Sequence, residues 1–165
     1  MKKILLYLSL IALPALSFAQ KVKDHPWQDL SFLSGQSKIN LVIDFSEATI
    51  LNMDATDFIS QESDWEKGVV EMRTKFIQAF NNKSKVRAAN STDTDYTLTI
   101  IPLTVTEKGS HVKGNLRITD KGGNEIFLHS FNNEAGMFGS AINLMGDAFE
   151  DLGEKLGKTF KKYAR

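Results

Sequence analysis

The sequence lacks several features that common functional classes require. It contains no cysteine among its 165 residues, which excludes disulfides, thiolate metal sites, thiol catalysis and lipid attachment at a processed cysteine. It also lacks an excess of charge of either sign, because 20 Lys and Arg balance 20 Asp and Glu. A nucleic-acid-binding domain needs a basic footprint, so this balance argues against that class.

The remaining composition is that of a folded protein. Apolar residues make up 42% of the chain and charged residues 24%, which excludes a largely disordered chain. The length indicates one domain, since domains typically span about 100–150 residues.

The amino terminus has the pattern of a secretory signal peptide. Lys2 and Lys3 precede the apolar run Ile4–Leu13, and small residues stand at the two positions that define cleavage after Ala19. A transmembrane anchor needs about 20 apolar residues, whereas this run is shorter and is followed by Pro14. We therefore predict a signal peptide over 1–19, cleavage after Ala19, and export to the periplasm or the cell exterior.

The rest of the chain divides into a predicted extended leader, 20–36, and a single domain, 37–165. Ser63 and Glu66 have capping-box spacing at the start of a helix that should end at Asn81–Asn82. A second, longer helix is predicted from about Ser140 to Tyr163. Two glycines on its apolar stripe, Gly146 and Gly153, indicate that a neighbouring backbone approaches closely. The helix that begins near Ser63 carries an apolar stripe at helical spacing. The stripe comprises Trp65, Val69, Met72, Phe76 and Phe80.

Alternating apolar residues predict the strands. A first strand covers Ile39–Phe45, and a short one covers Val86–Ala89. From Tyr96 to Phe131 three longer strands form a meander, with a bulge or an edge position expected at Pro102. The sequence thus predicts an α+β fold with a mainly antiparallel sheet of four or five strands and both helices packed on one face. The other face would meet water or a partner. It carries the polar residues Thr97, Thr99, Lys113, Asn115 and Arg117.

An acidic cluster follows the first strand and is the first candidate for chemistry. Oxygen ligands from one loop would suit a calcium ion, and paired carboxylates such as Asp44 and Glu47 would suit glycoside hydrolysis. No EF-hand spacing is present, so we favour a solvated strand end. The cluster comprises Asp44, Glu47, Asp54 and Asp57.

The histidines and one glycine-rich loop are the other candidates. His25, His111 and His129 do not have zinc-motif spacing, and we interpret them as ordinary surface residues, although His111 and His129 would approach each other across a hairpin. Gly136–Ala141 could form an anion cradle at a helix amino terminus, but it matches no nucleotide-binding or nucleophile-elbow pattern. A flexible loop with Ser140 as the helix cap is favoured.

One part of the chain resembles known families. The segments Asp95–Ile100, Leu116–Asp120 and Gly123–Ile126, with a turn at Gly109, resemble small bacterial cell-envelope proteins of unknown function. They are also similar to the β-rich part of the curli-secretion lipoproteins and the amino-terminal domain of TolB. The resemblance covers about 95–163 and implies a sheet with two helices that binds a protein or cell-wall partner without catalysis. The anchoring cysteine of the lipoproteins is absent, and no functional residue carries over.

The main functional prediction is an exported, non-catalytic cell-envelope protein that binds an envelope protein or a cell-wall component through the exposed sheet face and a sheet edge. The alternative is a protein that binds a small apolar ligand between sheet and helices, near Trp65, Phe76 and Phe149. A third hypothesis is a hydrolase using Asp44 and Glu47. We predict no catalytic residue, no metal site and no cofactor, no nucleic-acid partner, and no membrane span after signal cleavage.

Overall fold

The computed structural model describes residues 24–164, apart from the side chain of Glu107. The predicted signal peptide, 1–19, lies outside the described residues.

The described chain contains seven strands and three α-helices, preceded by a 3₁₀ helix at Trp27–Leu33. The helices are α1 (Ala55–Gln61), α2 (Trp65–Asn81) and α3 (Ala141–Tyr163). The strands are β1 (Lys38–Ile43), β2 (Thr49–Ile50), β3 (Met53–Asp54), β4 (Arg87–Ala89), β5 (Tyr96–Thr106), β6 (His111–Asp120) and β7 (Glu125–Glu134).

All seven strands belong to one mixed sheet, so the α+β class is confirmed. The sheet has seven strands rather than the predicted four or five, and β1 departs from the antiparallel pairing that prevails in β5, β6 and β7. β1 pairs in parallel with both β4 and β5. The chain leaves β1, passes through α2 and returns through β4, and a helical crossover of this kind brings strands together in parallel.

The second half of the sheet agrees with the sequence prediction. β5, β6 and β7 form an antiparallel meander. The pairing of β5 with β6 shifts between Pro102 and Thr104, which confirms the bulge expected at Pro102. Gly114 lies opposite Pro102, where the Cβ of any other residue would collide with the carbonyl group of Ile101. The shift therefore requires a glycine on the neighbouring strand.

The helices confirm the predicted positions of α2 and α3 but add helical turns that the pattern did not reveal. α1 is an extra helix capped by Asp54, whose carboxylate accepts a hydrogen bond from the Thr56 amide at 2.8 Å. The capping box expected at Ser63 does not form, because α2 begins at Trp65 with Asp64 at the cap position and no side-chain cap bond. Ser140 does cap α3, where its hydroxyl accepts from the Asn143 amide.

The described part of the predicted leader is not extended throughout. Trp27–Leu33 form a 3₁₀ helix in which Leu30 and Leu33 are fully buried. The two leucines belong to the same hydrophobic core as the sheet and the helices. Burial of these apolar side chains favours the compact turn over an extended chain on the surface.

α2 and α3 pack closely because glycines remove side chains from their contact. A Cβ at Gly153 would lie 2.6 Å from the carbonyl oxygen of Phe76, and one at Gly157 would lie 2.6 Å from that of Phe80. The close backbone approach predicted for α3 is therefore confirmed at Gly153, where the partner is α2. It is wrong at Gly146, where an added Cβ would meet only the Lys75 side chain. Lys75 of α2 also binds Asp147 of α3 at 2.9 Å.

The core lies between the helices and one face of the sheet. Strand register places Leu41 beside Leu98, Leu98 beside Ile118, and Ile118 beside Phe127. All four are 1% exposed or less. Rings fill the space above them: Phe80 stacks on Phe76 with 5.8 Å between centroids and meets Phe160 edge-on at 5.0 Å.

Candidate interaction surface

The sheet face opposite the helices is the largest polar surface that the strands position, and we call it the open face. Register places Asn40, Thr97 and Thr119 in one row and Val42, Thr99 and Arg117 in the next. Most of these side chains are half-buried, while Thr99 is 7% exposed. The open face comprises Asn40, Val42, Thr97, Thr99, Asn115, Arg117, Thr119 and Leu128.

The 3₁₀ helix at Trp27–Leu33 and the three α-helices contribute buried residues to the core on the other side of the sheet. Trp27 packs on Phe127, with ring centroids 5.6 Å apart. α1 reaches the same side through Phe58, which meets Trp65 edge-on at 5.9 Å. The most buried residues of α2 and α3 belong to the core with the odd-numbered side of β1. The open face is therefore left without a helical layer by the described part of the chain.

Two residues of opposite charge, Asp44 and Arg117, lie near the end of β1 on the open face. The Asp44 carboxylate accepts a hydrogen bond from the Ser46 amide at 3.0 Å. The Ser46 amide and hydroxyl bonds, helped by the positive charge of Arg117, lower the pKa of Asp44 below its ordinary value. The Arg117 Nε atom is buried and has no hydrogen-bond partner among the described residues. Among the buried side-chain polar atoms of the open face, this donor is the one that the described fold leaves without a partner.

The acidic cluster does not converge on one point. Asp44 closes a turn through Ser46, and Asp54 caps α1. Asp57 lies in the first turn of α1, and Glu47 is exposed. Within residues 24–164 no group of three or more His, Asp or Glu residues could hold a metal ion. The predicted strand-end role accounts for Asp44 and Asp54, and a lowered pKa keeps Asp44 ionised rather than available as an acid.

The three histidines do not form one cluster, and each contacts a neighbouring residue instead of lying free on the surface. The Nε2 atom of His111 contacts the side-chain oxygen of Asn132. The Nδ1 atom of His129 lies 2.8 Å from the carbonyl oxygen of His25. Trp27 covers the His129 ring, with centroids 3.9 Å apart. Strand register places His111 opposite Glu134 and His129 opposite Leu116, so the expected approach of the two histidines does not occur.

The sheet has three edge strands, and two of them are closed by local structure. β3 is only two residues long and continues directly into α1. At β4 the side-chain amide of Asn81 substitutes for a neighbouring strand, since it accepts from the Ala88 amide at 2.8 Å and donates to the Ala88 carbonyl at 3.0 Å. Short edges and capped edges both prevent unwanted strand pairing. This leaves β7 as the one long edge in the described chain.

The first half of the β7 edge is covered by a segment that we call the strap, Asp24–Trp27. The His25 amide donates to the Leu128 carbonyl at 2.8 Å. The Asp24 carboxylate accepts from both the amide and the hydroxyl of Ser130, at 2.7 and 2.8 Å. Sequence reasoning did not find the strap, because its partners are more than 100 residues away and no local pattern signals them.

The strap should loosen in acid. Burial raises the pKa of Asp24, but the hydrogen bonds from Ser130 and the charge of His129 outweigh it, so the pKa lies below its ordinary value. A carboxyl group with a lowered pKa stabilises the folded state fully above its ordinary pKa, and this contribution is lost as the pH falls through the lowered value. We expect the protection of the Ser130 amide, which is the slowing of its exchange relative to an unfolded peptide at the same pH, to fall below that pH.

Amide hydrogen exchange of Ser130 measures the effect, with Asp24→Asn as the matched variant. The variant should show low protection of this amide already at neutral pH and little change in protection with pH, since its side chain does not ionise. A wild-type Ser130 amide that stays protected to the acid unfolding transition would contradict the role of Asp24.

Two large apolar side chains lie at the end of β7. Met137 and Phe138 are 86% and 88% exposed. They stand between Gly136 and Gly139, which both have positive φ angles of 84° and 141°. These glycines allow the chain to turn sharply with the two side chains at its tip. The loop predicted here is confirmed, but its exposed apolar tip was not anticipated.

Two clefts in the described part of the chain are small. One cleft of about 140 Å³ lies between the starts of α2 and α3, lined by residues that include Asp64, Lys67 and Asn143. A second, about 260 Å³, lies beside Lys38 and Asp93 and is mostly polar. Both are below the roughly 300–1,000 Å³ of typical ligand pockets.

Neither the described helices nor the comparisons with known proteins indicate a further functional site. Within residues 24–164 every helix is too short or too polar to cross a membrane. No family model, curated protein or solved structure matches this chain.

Proposed function

We propose that this chain is an exported, non-catalytic cell-envelope protein that binds an envelope protein or a cell-wall component. The proposal depends on the open face. This face of the seven-stranded sheet has no helical layer in the described chain. Its polar residues alternate with the buried core residues of the same strands. A surface that is half-buried but polar is suited to a macromolecular contact of moderate affinity.

Export is the second part of the proposal and rests on the sequence of the amino terminus. The basic start, the apolar run and the small residues before Gln20 support a cleaved signal peptide. The absence of cysteine from the sequence is compatible with an oxidising compartment.

The alternative of a small-ligand pocket receives less support from the packing. Phe76 is fully buried and Phe149 is 1% exposed. Phe45 lies between the two other predicted pocket residues, with ring centroids 4.9 Å from Trp65 and 5.9 Å from Phe149. The rings fill the space that a ligand would need, so the interaction proposal is preferred.

Capture of a partner by the exported chain tests the proposal. The tagged chain is produced with its own signal sequence in the native cells, cross-linked and purified. We expect one envelope protein or cell-wall fragment to be enriched. The open-face variant Arg117→Glu should lose it, because the substitution reverses a central charge. Val70→Glu is the control, since Val70 is 62% exposed on α2, away from the sheet.

Two results would contradict the proposal. One is recovery of a small molecule with no macromolecule. The other is equal recovery of the partner with Arg117→Glu and with Val70→Glu, because binding would then not involve the open face.

A further inference from the structure

The second half of the β7 edge has backbone groups without partners in the described chain. The bonds at Leu128 and Ser130 show which residues of β7 point their backbone groups away from β6. Ala135 points the other way, since its amide donates to the Ser110 carbonyl of the β6 side. Because direction alternates along a strand, Asn132 and Glu134 also point outward. No described residue binds the outward amides and carbonyls of these two positions.

This open stretch contrasts with the protection of the other two edge strands and of the first half of β7. Asn81 closes β4, the strap closes β7 at Leu128 and Ser130, and β3 is very short. An unpaired edge is a template for strand addition, and proteins generally block edges that have no partner. The edge is left open only where it runs into the exposed Met137 and Phe138.

The side chains of this stretch indicate what an added strand should carry. Glu134 is exposed and forms no ion pair with a described residue, so a basic side chain would complement it. The apolar tip three to four residues later would contact an apolar side chain.

We propose that β7 at Asn132–Glu134 accepts an extended peptide segment of another envelope protein as an additional strand. A basic side chain of the peptide lies beside Glu134, and an apolar one contacts Met137 and Phe138. Main-chain hydrogen bonds supply affinity and the two side chains supply selectivity, as in other cases of strand addition. This inference rests on the proposed function and names its docking site.

A defined peptide tests the site without knowledge of the partner. The probe is an acetylated and amidated peptide of about eight residues, which spans roughly 26 Å when extended. It alternates threonine and valine, with one central lysine and a terminal leucine. Amide NMR spectra of the exported chain are recorded as the probe is added. We expect the largest shifts at Asn132, Glu134 and the loop to Phe138, with the open-face amide of Thr97 unchanged.

Two alternately N-methylated forms of the probe distinguish strand pairing from non-specific apolar binding. Each form blocks the amides on one side of the peptide and leaves the other side intact. Only one of the two should bind, because only one side of an added strand faces β7. This comparison needs no change in the protein.

Protein variants supply the second arm. Asn132→Pro removes one outward amide from an edge strand, where proline is tolerated. It should weaken probe binding about five- to tenfold, in keeping with the loss of a hydrogen bond. Phe138→Ser should also weaken binding, whereas Val70→Ser, which removes a comparably exposed apolar side chain from α2, should not.

Several results would overturn the inference. They are equal binding of both N-methylated probes, shifts centred on the open face, and no binding at millimolar concentration. Binding only after removal of residues 20–23 would assign the edge to the chain's own leader, and concentration-dependent pairing of two β7 edges would assign it to a second copy. If Asn132→Pro still captures the cellular partner, the docking site is wrong and the proposed function stands. If no partner is captured at all, the proposed function itself fails.

Discussion

Replacing Phe80 with alanine should lower the free energy of unfolding by about 3–5 kcal/mol, as is typical for removal of a buried phenylalanine ring. Phe80 is fully buried. It contacts Phe76 of its own helix and Phe160 of α3. Loss of the ring would leave a cavity where the two helices meet above the sheet. Urea denaturation followed by circular dichroism measures the change.

Val70→Ala is the matched control for this prediction. Val70 is in the same helix but 62% exposed, so its truncation should change stability by no more than about 0.5 kcal/mol. A loss of less than about 1 kcal/mol for Phe80→Ala would show that the aromatic stripe of α2 does not lie in the core.

Two glycines of α3 should respond to alanine with opposite signs. At Gly153 an added Cβ would lie 2.6 Å from a backbone oxygen of α2, and this contact is relieved only if the helices move apart. We expect Gly153→Ala to lose about 1–2 kcal/mol, because overpacking outweighs the better helix propensity of alanine. At Gly146 the nearest atom is the flexible Lys75 Nζ, 3.5 Å away. Gly146→Ala should gain about 0.5–1 kcal/mol.

The pair is informative because both substitutions make the same chemical change in the same helix. Thermal or urea unfolding of the two variants under identical conditions gives the difference directly. A gain in stability for Gly153→Ala would mean that α2 and α3 are not in backbone contact, and the account of the helical layer would then be wrong.

The elements with strong periodicity could be predicted from the sequence. The aromatic stripe of α2 and the glycine-containing stripe of α3 are local patterns, and the structure places both helices on the same side of the sheet. The meander and its bulge at Pro102 followed from alternation and from the missing proline amide. These elements could be predicted because each pattern lies within a short stretch of the sequence.

The parallel pairing of β1 was not predicted, although the sequence contained a signal for it. A strand followed by a long helix and another strand is typical of a parallel crossover, and α2 occupies that position. β2, β3 and α1 were missed for a different reason. The two strands have two residues each and the helix has seven, so they are too short to show a period.

The candidate surface was predictable only in outline. Alternation identified Thr97, Thr99 and Arg117 as residues of a polar sheet face. The open stretch of β7 depends instead on which edges other residues cover. Asn81 covers one edge and Asp24 part of another, through hydrogen bonds that span seven and 106 residues of sequence. Contacts of the latter kind leave no local pattern.

Site-specific photo-cross-linking in the cells that export the chain tests the central claim most directly. A photoreactive amino acid is placed in turn at Asn132 on the β7 edge, at Thr119 on the open face, and at Val70 on the exposed side of α2. The account predicts cross-links to a macromolecular partner from the two sheet positions and none from Val70. Cross-links from Val70 alone, or equal cross-linking from all three positions, would contradict it.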